Sequence, residues 1–137
     1  MSAGFRRGYN RIMLTKTRLA KVKKRRRGWP HELVSMAAIR RLAREIAAKF
    51  QPEEIILFGS YAYGKPGFDS DVDLLVVMPA RNELDKSVEI LNALDPKFSV
   101  DLMVIRPKDL VWRLREGDWF LREIMCKGEV LHEKAHG

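Results

Sequence analysis

Asp71 and Asp73 lie two residues apart in Ser70-Asp71-Val72-Asp73-Leu74-Leu75-Val76-Val77. If that apolar run is a strand, both carboxylates project from one face. Asp101 sits in a second run, Ser99-Val100-Asp101-Leu102-Met103-Val104. Its neighbours Val100 and Leu102 then point away from it. Carboxylates in or at the ends of apolar strands are costly to bury unpaired. Basic partners are scarce within those segments, so a hard divalent cation is the simplest counter-charge. Magnesium takes carboxylate oxygens and leaves positions open for phosphate. Asp101 belongs with the other two only if its strand neighbours theirs.

A small pair, Gly59-Ser60, directly follows the apolar run Ile55-Ile56-Leu57-Phe58. Small residues at a strand exit let backbone N–H groups and a hydroxyl approach a phosphate. Two look-alike motifs fail on chemistry. Gly59 through Lys65 approximates a P-loop, but Pro66 stands where a Ser or Thr must hold magnesium. Asp69, Asp71 and Asp73 imitate the start of an EF-hand, but Leu74 replaces its glycine and Ala80 its final Glu. His31, His132 and His136 have no metal-ligand spacing that meets the acids, and read as surface or tail residues. Trp112, Trp119 and Phe120, set among Arg113, Arg115 and Arg122, read as the edge of a core with a solvated basic face.

The surrounding elements follow from periodicity. Ile39, Leu42, Ala43, Ile46, Ala47 and Phe50 recur at helical spacing within residues 31–50, and Pro52 stops that helix. Residues 55–58, 72–78 and 99–105 read as buried strands. Residues 61–70 read as a loop, or one helical turn and a loop. Leu84, Val88, Leu91 and Leu94 stripe a helix over 83–94. Residues 108–126 read as one or two helices interrupted near Gly117, and 129–132 as a short final strand. The alternation argues for an α/β fold, a small mixed β-sheet packed with helices.

The 137 residues suit one domain and leave no room for a separate substrate domain. No apolar run approaches the roughly 20 residues of a membrane span. The single Cys126 excludes an internal disulfide framework, reads as a small buried hydrophobe, and fits a reducing cytoplasm. The net charge of +8 is unevenly spread. Residues 1–30 hold eleven Lys or Arg and no acid, while the remainder holds fifteen against eighteen acids. The expected organisation is therefore a basic arm over 1–30, flexible or partly helical around 9–22, and a domain over 31–137. The arm is a solvated tail, an extension from a misplaced start, or an electrostatic handle for nucleic acid.

Read together, Gly59-Ser60, ten intervening residues, Asp71-Val72-Asp73 and a later strand Asp101 resemble the nucleotidyltransferase superfamily related to DNA polymerase beta. Leu57-Phe58-Gly59-Ser60-Tyr61-Ala62-Tyr63-Gly64, with Asp69-Ser70-Asp71-Val72-Asp73, is most similar to its minimal members, the MNT proteins. The resemblance covers residues 38 to about 133 and implies a polymerase beta-like fold. It also implies two magnesium ions and a nucleoside triphosphate, with ATP as the expected substrate. Asp71 and Asp73 would ligate both ions, and Asp101 the catalytic one while helping to deprotonate an acceptor hydroxyl. Gly59 and Ser60 would hold the β,γ-phosphates. Many minimal members carry Arg in the next loop, where this chain has Ala62-Tyr63-Gly64, and the missing charge on the triphosphate is assigned to Lys65. Tyr63 is expected to pack.

Minimal members are often paired with HEPN-type toxins and act as antitoxins by modifying them. That implies a cytoplasmic enzyme that adenylylates a HEPN partner, with a partner or homo-oligomer completing the cleft. Two other readings stand beside it: an antitoxin or binding module that works by occlusion, and an RNA-directed transferase that uses the basic arm.

Overall fold

A computed structural model of the chain describes residues 10–14, 19–24, 33–67 and 70–135, the side chains of 10–14, 23 and 24 aside. Helix α1 (Met36–Phe50) starts where the Ser35 hydroxyl accepts from the Ala38 N–H. It ends at Gln51 in the left-handed conformation, before Pro52. Strand β3 (Glu54–Phe58) leads to Gly59 and a single turn, α2 (Ser60–Tyr63). Strand β4 (Val72–Val77) follows. Helix α3 (Glu83–Leu94) is capped by Asn82, whose side chain accepts from the Asp85 N–H. Glu83 and Asp85 add negative charge to the first turn, which suits the helix dipole. Strand β5 (Val100–Ile105) comes next. Helices α4 (Pro107–Arg115) and α5 (Trp119–Lys127) are separated at Gly117, which adopts φ 89°, and Asp118 caps the second. Strand β6 (Glu129–Glu133) closes the described chain.

Two further strands precede these, β1 (Asn10–Leu14) and β2 (Ala20–Lys24). This corrects the expectation of partial helix around residues 9–22. In Ala20-Lys21-Val22-Lys23, small or apolar residues alternate with lysines at the strand period. Ala20 and Val22 are buried in the core, which fixes β2 to the sheet. The rest of the basic arm lies outside the described residues.

The described strands form one six-stranded sheet in the order β1-β2-β5-β4-β3-β6. β4 and β5 are parallel, the other neighbours antiparallel. Helix α3 supplies the crossover that a parallel pair needs. The fold is the expected mixed α/β sheet packed with helices.

Alternation divides the core in two. Ile55, Leu57, Val72, Leu74, Val76, Val100, Leu102 and Val104 face α1 and α3. Ile56, Phe58, Leu75, Val77, Met103 and Ile105 face α4 and α5. Each large aliphatic side chain so enclosed contributes about 1.5–3 kcal/mol of transfer free energy. Polar ties fix α3 to the end of β5. The Val104 N–H donates to the Ser87 hydroxyl at 3.2 Å, and the Arg106 N–H donates to Glu83 Oε2 at 2.9 Å.

Three residues depart from expectation on the α4–α5 surface. Cys126 is exposed, because Leu121 and Ile124 take the inward positions of α5. Trp112 and Trp119 are 62% and 72% exposed. The inward position of α4 is taken by Leu110, so the two indoles lie outside the core.

Candidate active site

Strand register gathers the acids. Asp73 is the cross-strand partner of Asp101 between β4 and β5. Asp101 in turn pairs with Lys21 of β2, and Asp73 with Phe58 of β3. Lys21, Asp101, Asp73 and Phe58 therefore stand in one row across four strands, on one face. Asp71 shares that face, two residues ahead of Asp73. It is the face whose far end is covered by α4 and α5.

The row is electrostatically loaded. Lys21 Nζ lies 3.2 Å from Asp71 Oδ2 and 3.3 Å from Asp101 Oδ1. The second contact is an ion pair without hydrogen-bond geometry, so the buried Asp101 Oδ1 still lacks a hydrogen-bond partner. Burial pushes the Asp73 carboxyl up to about 8, reinforced by the charge of Asp101, a hydrogen bond shared with Asp101, and the charge of Asp71. Burial also raises Asp101, and Lys21 offsets part of that. Burial would lower Lys21, but the charges of Asp101 and Asp71 outweigh it and hold the ammonium above its ordinary value.

The raised Asp73 carboxyl couples stability to pH. Between about pH 4 and about pH 8 the folded chain keeps a proton that the unfolded chain has released. The unfolded state binds fewer protons there, so stability falls as pH rises through that window. Urea unfolding in a chelator is expected to show a lower midpoint at pH 8 than at pH 5.5, and Asp73→Asn is expected to flatten the difference. A midpoint that rises over this range in the wild type would contradict the assignment.

Gly59 shapes the other side of the row. It adopts φ 74° and ψ −160°, a conformation open essentially to glycine alone. A Cβ there would overlap the Asp73 carboxylate. The missing side chain thus lets the β3–α2 turn lie directly against Asp73. Ser60 and Tyr61 open the turn, so their N–H groups have no acceptor within it. The Tyr61 hydroxyl accepts from the Val34 N–H at 3.0 Å, which ties the turn to the segment before α1. Lys65, bonded through its N–H to the Ser60 carbonyl at 3.2 Å, carries an exposed side chain. Tyr63, expected to pack, is 40% exposed. Asp69 lies outside the described residues.

Three carboxylates against one ammonium leave surplus negative charge and an orphaned carboxylate oxygen. All the donors are hard oxygens, so the set fits a divalent cation such as magnesium. Among the described residues, however, no three His, Cys, Asp or Glu side chains already form a ligand cage. Here Lys21 and the shared proton offset two of the three negative charges. Sequence reasoning singled out Asp71, Asp73, Asp101, Gly59 and Ser60, and the fold brings these five to one corner of the sheet. It missed Lys21, whose only local signal is the alternation around Val22.

The model of the nucleotidyltransferase domain family matches residues 39–125, a segment that begins after the hairpin carrying Lys21. No curated protein sequence matches the chain. A crystal structure designated a nucleotidyltransferase, from Sulfolobus solfataricus, is 19% identical. It aligns over 74% of this chain and 83% of its own, with a TM-score of 0.48. Among the described residues no helix is long and apolar enough to cross a membrane.

Proposed function

Because the chain belongs to the nucleotidyltransferase domain family, whose activity is nucleotidyl transfer, we propose that the acidic row is its reaction centre and that the donor is ATP with magnesium. The observation that carries this is the register. It sets Asp73 and Asp101 side by side, with Asp71 on the same face and Gly59 against the Asp73 carboxylate.

Each residue has a task in that reading. Asp71 and Asp73 would hold two magnesium ions, and Asp101 one of them. Bound there, magnesium supplies charge neutralisation on the triphosphate and Lewis acidity at the acceptor. Gly59 and Ser60 present backbone N–H groups and a hydroxyl to the β,γ-phosphates. Lys65 adds a positive charge from the same loop. Asp101, between Lys21 and Asp73 in the row, accepts the proton of the acceptor hydroxyl. The hydroxyl oxygen bonds to the α-phosphorus, the bond to the β-phosphate oxygen breaks, and pyrophosphate leaves.

The acceptor in this reading is a HEPN-type toxin, which the chain neutralises by adenylylating it in the cytoplasm. The similarity of the Gly59-Ser60 and Asp71-Val72-Asp73 segment to minimal family members supports it. So does the outer surface of α4 and α5, where Val111, Trp112 and Trp119 are 50%, 62% and 72% exposed. Exposed apolar side chains that join into a contiguous patch mark contact surfaces. The test is co-expression with a HEPN-type toxin and α-labelled ATP. Label on the toxin and restored growth, both lost in Asp71→Asn/Asp73→Asn, are expected. Label in RNA would favour the RNA-directed enzyme. Neutralisation that survives the double substitution would favour occlusion.

A further inference from the structure

Lys21 stands where the nucleotidyl-transfer reading needs a cation. Its Nζ contacts one oxygen of Asp71 at 3.2 Å and one of Asp101 at 3.3 Å. Those are two of the three carboxylates assigned to metal. Magnesium binds carboxylate oxygen at about 2.0–2.1 Å and tolerates little distortion. An ion shared by those oxygens would compete with the ammonium for the same lone pairs, and two cations so close repel each other.

The placement is built into the sheet. Ala20 and Val22 are 0% and 2% exposed, so β2 cannot rotate without losing its core contacts. Alternation then aims Lys21 at the acids. Register sets it directly opposite Asp101. Its own side chain is 22% exposed, which leaves the flexible stem a route to solvent. Lys21 also lies ahead of the segment shared with the family, so it is a feature of this chain's own N-terminal hairpin.

The geometry points to Lys21 as a resident competitor of the divalent cation: it closes the pair Asp71–Asp101 with an ammonium, and metal loading requires that side chain to leave. This inference rests on the metal-dependent reading above. Withdrawal of Lys21 would also free a positive charge at the mouth of the site as the triphosphate arrives.

The test titrates the full-length, chelator-stripped protein with Mn2+ and follows free Mn2+ by electron paramagnetic resonance. No nucleotide is present, so the readout is independent of turnover. Wild type, Lys21→Met and Lys21→Arg are compared. Lys21→Met keeps the stem but removes the charge. It is expected to bind Mn2+ about tenfold more tightly than wild type. Lys21→Arg is expected to bind no more tightly than wild type. Circular dichroism checks folding, and Lys21→Gln replaces the Met variant if that one does not fold. Equal or weaker Mn2+ binding by the neutral variant, with the wild type binding, overturns the competition and leaves the metal-dependent reading standing. Absence of Mn2+ binding in wild type and variants alike overturns both.

Discussion

Replacement of Asp73 by Asn is expected to cut nucleotidyl transfer by about 10²- to 10³-fold or more, the scale of losing a main electrostatic group in a reaction centre. The fold is expected to survive. Burial and the neighbouring carboxylates push Asp73 up to about 8, so near neutral pH the metal-free protein holds it largely protonated. Asn matches a protonated Asp in shape and in donating a hydrogen bond. It also removes the charge that Asp73 would carry at higher pH. Urea unfolding in a chelator should therefore show the variant at least as stable as wild type, most clearly at pH 8. Activity should fall for the opposite reason, since a metal-loaded centre needs the ionised carboxylate that Asn cannot supply. Lost activity together with lost stability would mean that Asp73 is mainly structural. Retained activity would remove it from the reaction centre.

Gly59→Ala should be nearly as damaging by a different route. The residue sits at φ 74°, ψ −160°, where a side chain costs about 1–3 kcal/mol of backbone strain. The added Cβ would also run into Asp73 Oδ2, so either the turn or the carboxylate must move. A displacement of about 1 Å in a reacting group costs about 10²-fold in rate. Loss of activity on that scale is expected, with a lowered urea midpoint. Gly64→Ala is the matched control. Gly64 has φ 100°, but a Cβ there would meet nothing within 4 Å. It should show the strain in its unfolding midpoint and keep most of its activity. Equal activity loss in both variants would mean that the turn, and not the approach to Asp73, is what matters.

The site was legible where short-range pattern and chemistry agree. Asp71 and Asp73 share a strand face by period alone, and the stripe of Leu84, Val88, Leu91 and Leu94 marks α3. The break at Gly117 could be read for the same reason. What local pattern cannot encode is pairing between distant strands. That Asp101 lies beside Asp73, and Lys21 beside Asp101, depends on β5 lying between β4 and β2. The hairpin was hidden because the charge of the arm dominates its composition. Only Ala20 and Val22 signal burial in β2, against lysines at 21, 23 and 24. The indoles of Trp112 and Trp119 misled because helical spacing gives a face without saying which face turns inward. Leu110, Leu121 and Ile124 settle it.

In this reading the acids on β4 and β5 direct transfer of a nucleotide and not of a phosphate. Parallel reactions of the protein with the HEPN-type toxin proposed above as acceptor, one with α-labelled and one with γ-labelled ATP, test this most directly. Acid-stable label on the acceptor from the α position alone is expected, with pyrophosphate released in equal amount and neither seen with Asp71→Asn/Asp73→Asn. Label arriving from the γ position, or α-label transfer undiminished in the double variant, would contradict the account.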